Sequence, residues 1–286
     1  MKFNDFFFLL LQKILPKKRL SKLFGQIASY SGLASNLCKR IFICIYKIDL
    51  EEANPSNLEN YQNLNTLFSR RLKPKNRPQP DKRSIWTSPA DGRLTQFGEI
   101  KNGTVIQAKG ITYGIKDLMG GDDLLAKDFK AGSFGCVYLA PHNYHRVHMP
   151  YDGALIAARY IPGELFSVNE RTTTRIDKIF CQNERVVLIF KNESEYFAII
   201  LVGACLVGGI AVVLPEQTGK IRTHIPSHEW PQNHTIHPAA SEIQRGTEIG
   251  FFYFGSTVVL LTSREFTNWA PGLTEGTEIQ VGDPLS

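Results

Sequence analysis

The 286-residue chain is 43% hydrophobic and 21% charged, a globular composition that excludes a disordered or collagen-like protein. Its five cysteines (Cys38, Cys44, Cys136, Cys181, Cys205) are odd in number and lack C-x-x-C spacing, which argues for a reducing compartment and against a disulfide framework or a cysteine zinc site. The net charge of +6 is concentrated: residues 1–50 hold nine lysines and arginines against two acids, so the N-terminal arm, not the body, is built for an anionic partner.

The arm opens with an apolar run, Phe6 to Leu11, followed by the basic cluster Lys17, Lys18 and Arg19. Six residues are too few for a membrane span, which needs about 20. They are also marginal for a signal-peptide core, and no small-residue cleavage site follows. A second stretch, Leu33 to Leu50, sets Ile41, Phe42, Ile43, Ile45 and Ile48 among Lys39, Arg40 and Lys47. Bulky apolar residues beside cations suit helices lying in a lipid interface, and the large apolar share disfavours nucleic acid as the anionic partner. The plainer reading packs these helices on the body and leaves the lysines as a solvated face. The spacing thus predicts an amphipathic helical, membrane-associating region over residues 1–75.

Pro74, Pro78 and Pro80 then exclude a regular helix across the segment KPKNRPQPD, residues 73–81. Beyond it come short β-branched or aromatic runs: Cys136–Ala140, Ala154–Ile161, Arg185–Phe190, Tyr196–Val202, Gly209–Leu214, Phe251–Phe254 and Thr257–Leu261. Arg185–Val202 reads as a hairpin with a five-residue loop. No long amphipathic helix alternates with these strands, so a doubly wound sheet is not expected. The expected class is α+β, with a mainly β catalytic body over 82–286, a sandwich or barrel-like set of antiparallel sheets, behind the helical arm.

Three segments carry candidate chemistry. SPADGR, Ser88 to Arg93, is a turn in which Asp91 is the one ionisable group besides Arg93; a bond to its own backbone is the plain alternative. PHNYHRVHMP, Pro141 to Pro150, places His142, His145 and His148 three apart. Prolines at both ends argue against the helix that would align three metal ligands, so no metal is expected and a proton carrier fits better. In GFFYFGSTVVLL, Gly250 to Leu261, a Gly-Ser-Thr step interrupts what otherwise reads as one strand. It is either a bulge or a scissile pair. With no Cβ on Gly255, Ser256 Oγ can reach the preceding carbonyl through a five-membered ring and turn the amide into an ester, given a base. AGSFG, Ala131 to Gly135, approximates a nucleophile elbow around Ser133, but the strand-like CVYLA follows where that motif requires a helix.

Taken together the chain resembles the phosphatidylserine decarboxylase family. The likeness is carried by LNTLFSRRLKP (64–74), SPADGR (88–93), YHRVHMP (144–150), IPGELFSVN (161–169), NERV (183–186), VGA (202–204) and RGTEIGFFYFGST (245–257), in that order along the chain. The resemblance implies a proenzyme in which an Asp91–His148–Ser256 set cleaves the Gly255–Ser256 bond. A large chain, 1–255, and a small chain, 256–286, then form a heterodimer. It implies a covalent pyruvoyl group derived from Ser256, which forms a Schiff base with the amine of phosphatidylserine, and His145 as the proton carrier of decarboxylation to phosphatidylethanolamine. It further implies a carboxy-lyase of phospholipid biosynthesis, peripheral on the cytoplasmic face of the cell membrane. Two positions depart from the common family pattern: Phe254 stands where Leu is frequent, and Asn143 where Asp is frequent.

The triad logic gives each group a role: Asp91 would hold His148 in one tautomer, and His148 would take the Ser256 proton. Backbone donors near Gly255 would stabilise the oxyanion by roughly 3–4 kcal/mol each. The ester would break by β-elimination, leaving a Gly255 carboxylate and a dehydroalanine that loses ammonia to water. Two rivals remain at this point: a serine hydrolase using Asp91, His148 and Ser256 on an external ester, and a lipid-binding module in which Gly255–Ser256 is only a bulge.

Overall fold

A computed structural model of the chain describes residues 15–108, 110–193, 195–205, 209–215, 221–226, 232–238, 242–253 and 255–286. The Phe6–Leu11 run and Phe254 lie outside the described residues. The arm continues as two helices, α1 (Lys17–Ser29) and α2 (Leu33–Tyr46), followed by a short helix α3 (Leu64–Phe68). Asn63 starts α3 with a reciprocal capping box to Thr66, which fixes the entry angle of the five-residue segment.

The amphipathicity of α1 and α2 is inverted relative to an ordinary surface helix. On α2, Ser35, Lys39 and Phe42, on one face at i, i+4 and i+7, are buried, while Leu37, Ile41 and Ile45 are exposed. On α1, Lys17, Ser21 and Ala28 face inward while Leu23 and Ile27 face out. Two of the arm's cations are therefore structural. Lys39 Nζ donates to the carbonyls of Tyr61 and Leu58, and Lys17 sits 3.5 Å from the Glu164 carboxylate and 4.3 Å from the centre of the Phe166 ring. Arg19, Lys22, Arg40 and Lys47 remain exposed.

The body is a sandwich. Its principal strands are β1 (Gly92–Ile100), β2 (Gly132–Leu139), β3 (Arg146–His148), β4 (Gly153–Ile161), β5 (Arg185–Lys191), β6 (Tyr196–Gly203), β7 (Ile210–Pro215), β8 (Ile221–Pro226), β9 (Glu248–Phe252), β10 (Ser256–Thr262) and β11 (Glu278–Ile279). The larger sheet runs β4-β5-β6-β10-β2-β1-β11, extended by short strands on the outer edge of β4. The smaller runs β8-β7-β9-β3. Every ladder is antiparallel. One face of the larger sheet packs on the helices through Cys136, Ala198, Ile200, Val259 and Leu261. The other packs on the smaller sheet through Val137, Leu139, Ile199, Leu201 and Val258 against Val147, Val212, Ile249 and Phe252. Burial on both faces is why β5, β6 and β10 read as unbroken apolar runs.

The α+β expectation holds, and so does the 185–202 hairpin. Lys191 pairs with Tyr196, which leaves a four-residue loop where five were read. The strands β3, β8 and β11 are not among the expected runs, and neither is the nine-residue β1. Arg93 on it is exposed and Thr95 to Gly98 are only half-buried, so the period-2 signal is diluted. Gly92, at the end of SPADGR, has a φ of 157°, and a Cβ there would fall 2.2 Å from the Tyr138 carbonyl oxygen. Only glycine lets β1 close on β2 at that point.

Candidate active site

The segment read as one strand is two. β9 belongs to the smaller sheet and β10 to the larger, and residues 253–255 carry the chain between them. Gly255 makes the crossing with a φ of 28°, in the left-handed region that favours glycine. Ser256 is the first residue of β10, paired with Gly203 of β6 on one side and Leu139 of β2 on the other. Its hydroxyl is fully buried and has no hydrogen-bond partner among the described residues, and neither has the Thr257 hydroxyl on the opposite face. An unsatisfied buried hydroxyl costs about 1–3 kcal/mol, so two in succession call for a role.

A second crossing runs beside the first. β2 ends at Leu139, opposite Ser256, and the chain turns through 140–143 into β3. At the far end of this turn the His145 carbonyl accepts the Phe252 N–H at 3.0 Å. The histidine segment and the Gly-Ser step are thus parallel bridges between the same two sheets. His145 is fully buried, with the Phe68 ring centred 4.0 Å from its own. Its Nδ1 lies 2.9 Å from the Asn143 carbonyl and must be the protonated nitrogen, which leaves Nε2 as a buried lone pair without a partner among the described residues. Burial, reinforced by the Arg70 charge and only partly opposed by the Asn143 carbonyl, pushes the imidazole down to about 3. The departure at Asn143 does not touch His145 through its side chain: Asn143 Oδ1 accepts the Ala140 N–H at 2.7 Å, an acceptor role a carboxylate would also fill.

His148 is held differently from expectation. Its Nδ1 lies 2.7 Å from the Gly246 carbonyl and its Nε2 3.0 Å from the Tyr144 hydroxyl. Nδ1 is again the donor, and Nε2 accepts from the phenol. Asp91 makes no hydrogen bond to His148. Its carboxylate is taken by Arg77 Nε at 3.0 and 2.9 Å, by Arg77 Nη2, and by the Val281 N–H at 2.8 Å. The expected tautomer-fixing contact is therefore corrected: the Gly246 carbonyl fixes the tautomer because a guanidinium has already claimed the acid. Asp91 still acts on His148 through space. Burial lowers the His148 pKa, while the Glu248 and Asp91 charges oppose that shift. Neither histidine is hydrogen-bonded to Ser256, whose hydroxyl is therefore buried without a base in contact.

The three histidines do not converge: His142 is exposed, His145 buried and His148 half-buried. Among the described residues no group of three or more His, Cys, Asp or Glu side chains is placed to hold a metal. Ser133, the elbow-like serine, accepts the Phe266 N–H at 2.8 Å within β2 and is structural. A cavity of about 440 Å³ opens beside the crossing, with Tyr138, Ala140, Asn143 and Thr257 on one wall and Gln107 and Phe180 among the residues opposite. Sequence reasoning did not single out Phe68, Arg70, Arg77, Tyr144 or Gly246. Phe68 and Arg70 lie inside the LNTLFSRRLKP run, but nothing local marks them as neighbours of a histidine 75 or more residues away.

Residues 64–286 match the family model described as phosphatidylserine decarboxylase. Over the whole chain and 97% of the relative, the sequence is 38% identical to a phosphatidylserine decarboxylase proenzyme of Alcanivorax borkumensis. It is 42% identical to one from a Shewanella species over 89% of this chain and 87% of the relative. It is 39% identical to one from Idiomarina loihiensis over 96% of this chain and 94% of the relative.

Proposed function

The chain belongs to the phosphatidylserine decarboxylase family, and from that premise we propose that it severs its own Gly255–Ser256 bond and then decarboxylates phosphatidylserine to phosphatidylethanolamine. The observation that carries the reading is the buried, unbonded Ser256 hydroxyl directly behind a left-handed Gly255 at a sheet-to-sheet crossing. In the cleavage, Ser256 Oγ attacks the Gly255 carbonyl carbon, the C–N bond breaks and an ester forms. Loss of the Ser256 α-proton expels the Gly255 carboxylate, and water replaces the remaining nitrogen, which leaves as ammonia. His148 is assigned the serine proton, with Asp91 and Glu248 favouring the imidazolium that results. For Nε2 to act, the Tyr144 hydroxyl must first yield it.

The residues present fit a pyruvoyl group formed at position 256. It would start a central strand at the crossing that runs beside the His145 segment, with Thr257, the next residue, lining the cavity. That group supplies an electron sink for the pair left behind when CO2 departs. Decarboxylation to an ammonium product takes up one net proton from solvent, and His145, neutral at physiological pH, is assigned to relay it to the α-carbon after CO2 is lost.

The small chain, 256–286, stays bound after the cut. Val258, Val259, Leu260 and Leu261 are buried between β6 and β2, worth about 1.5–3 kcal/mol each as an upper range. Its other end is laced to the large chain through Val281 to Asp91, Asp283 to Ser88 and Leu285 to Trp86.

The region 1–75 is assigned to the membrane surface, peripheral and on the cytoplasmic face. Eight of the ten large hydrophobic side chains exposed among the described residues lie on or beside α1 and α2: Leu15, Leu23, Ile27, Tyr30, Leu37, Ile41, Ile45 and Tyr46. Apolar groups flanked by exposed Arg19, Lys22, Arg40 and Lys47 suit an anionic interface. No described helix is long and apolar enough to cross a membrane.

The mass of the purified protein under denaturing conditions tests the reading. Two chains ending at 255 and beginning at 256, the second with a blocked, keto-bearing N-terminus, are expected. A fully active enzyme made of one intact chain would overturn it. An intact chain labelled at Ser256 by a serine-directed phosphonate would favour an external-ester hydrolase instead.

A further inference from the structure

We propose that Arg70 binds the phosphodiester of the lipid headgroup, beside His145. The proposal rests on the decarboxylase reading above and names the residue that would recognise its substrate. Arg70 follows α3 by two residues and is 95% buried, with a relative exposure of 5%. Its Nη2 donates to the carbonyls of His142 at 2.9 Å and Asn143 at 3.3 Å. Its Nε and Nη1 are buried with no partner among the described residues. The other two buried arginines are not left this way, and half-buried Arg159, whose Nε also lacks a partner among the described residues, has the Asp122 carboxylate on its Nη1. Arg185 spends Nε, Nη1 and Nη2 on the carbonyls of Leu118, Cys181, Asn183 and Asp117. Arg146 uses Nε on Ser69 and Arg70 carbonyls and Nη1 on Glu248. The acids within electrostatic range of Arg70, Asp91 and Glu52, are both bound by Arg77 instead. A buried cation with two unfilled donor nitrogens and no carboxylate of its own is a site built for an incoming anion.

The anion's position identifies it. The Asn143 carbonyl accepts from both Arg70 and His145, so the two side chains share one anchor. On the other side, the Phe42 ring of α2 lies 5.9 Å from Phe68, whose ring contacts His145. The ring contacts join the exposed apolar helices to the imidazole, and Arg70 holds the same Asn143 carbonyl as His145, so a lipid whose serine α-carbon lay at His145 would carry its phosphate beside Arg70. The substrate carboxylate is a poorer match. Its charge disperses as CO2 leaves, so a cation clamped on it would stabilise the ground state more than the transition state, whereas the phosphate keeps its charge throughout.

The test uses the self-cleaved enzyme and soluble short-chain lipids. Arg70→Gln, once its mass shows normal cleavage, is expected to raise KM for short-chain phosphatidylserine at least about tenfold with kcat little changed. It should weaken inhibition by short-chain phosphatidylethanolamine by the same factor, because the product retains the phosphate and lacks the carboxylate. Arg70→Lys should recover part of both and serves where the glutamine variant does not fold. Weaker phosphatidylserine binding with unchanged phosphatidylethanolamine inhibition would assign the carboxylate and overturn the proposal. So would a fall in kcat at constant KM, which would make Arg70 a positioning residue for His145. Inhibition of the parent by inorganic phosphate as strong as by the short-chain product would mark a free-anion site and also overturn it. A parent enzyme that is neither cut nor active would instead remove the decarboxylase reading itself.

Discussion

His145 should make the uncleaved protein acid-sensitive by a calculable amount. In the unfolded chain its imidazole titrates at the ordinary value of 6.5, while burial beside Arg70 holds it near 3 in the fold. The folded pKa is the depressed one, so the unfolded state binds more protons between those values. The stability tied to neutral His145 is therefore complete above 6.5 and is lost as pH falls toward 3. At about pH 5 the unfolded chain gains ~2 kcal/mol from a protonation that the folded chain cannot match. The perturbation is His145→Gln in a Ser256→Ala background, in which cleavage is blocked and the amide can still donate to the Asn143 carbonyl. Urea unfolding of both proteins near pH 7.5 and near pH 5 supplies the comparison. His148 shifts in the same direction but is present in both, so the difference between the two pH responses isolates His145. The parent is expected to lose ~2 kcal/mol more than the double variant over that interval. Parallel pH responses would show that His145 is not held neutral by burial and would remove its assignment as a proton relay that starts unprotonated.

Ser256→Ala is expected to remain one chain and to be inactive, by intact mass and CO2 release. Tyr144→Phe removes the phenol that occupies His148 Nε2 and should cleave at least as fast as the parent; cleavage slowed more than about tenfold would show that the hydroxyl relays the proton instead. Asp91→Asn breaks a buried pair with Arg77 and withdraws a charge that favours the His148 imidazolium. It should cost roughly 3–5 kcal/mol in urea unfolding and leave a larger uncut fraction by mass. Ile41→Ser with Ile45→Ser alters only exposed positions and should leave the melting temperature unchanged. Binding to anionic vesicles should fall at least about tenfold in a sedimentation assay, at ~1 kcal/mol per side chain.

What the sequence discloses here is what local chemistry controls. The apolar runs of β5, β6 and β10 announce buried strands because both faces of the larger sheet are covered. Gly255–Ser256 stands out because it interrupts such a run, and His145 and His148 because they crowd one short turn. Hidden from it were pairings made across long separations. Arg77 reaches Asp91 from the proline-rich segment, and Arg70 reaches the 142–143 carbonyls across 72 residues. Lys17 and Lys39 turn inward, although composition alone gives every arm lysine the same surface charge. β1 stayed unread because its outer positions are only half-buried.

The inward cations also bear on how the arm could matter to the chemistry. A helix that buries its lysine and serine face and exposes its isoleucines is unfavourable in water unless a further surface covers the exposed side. Lys39 fastens α2 to the 58–61 segment, and Phe42 on the same buried face contacts Phe68. Phe68 in turn forms one wall of the His145 site. Seating Leu37, Ile41 and Ile45 in an apolar interface would thus load a helix whose opposite face is two ring contacts from the His145 imidazole. The exposed apolar surface and the buried imidazole are two sides of one packed layer.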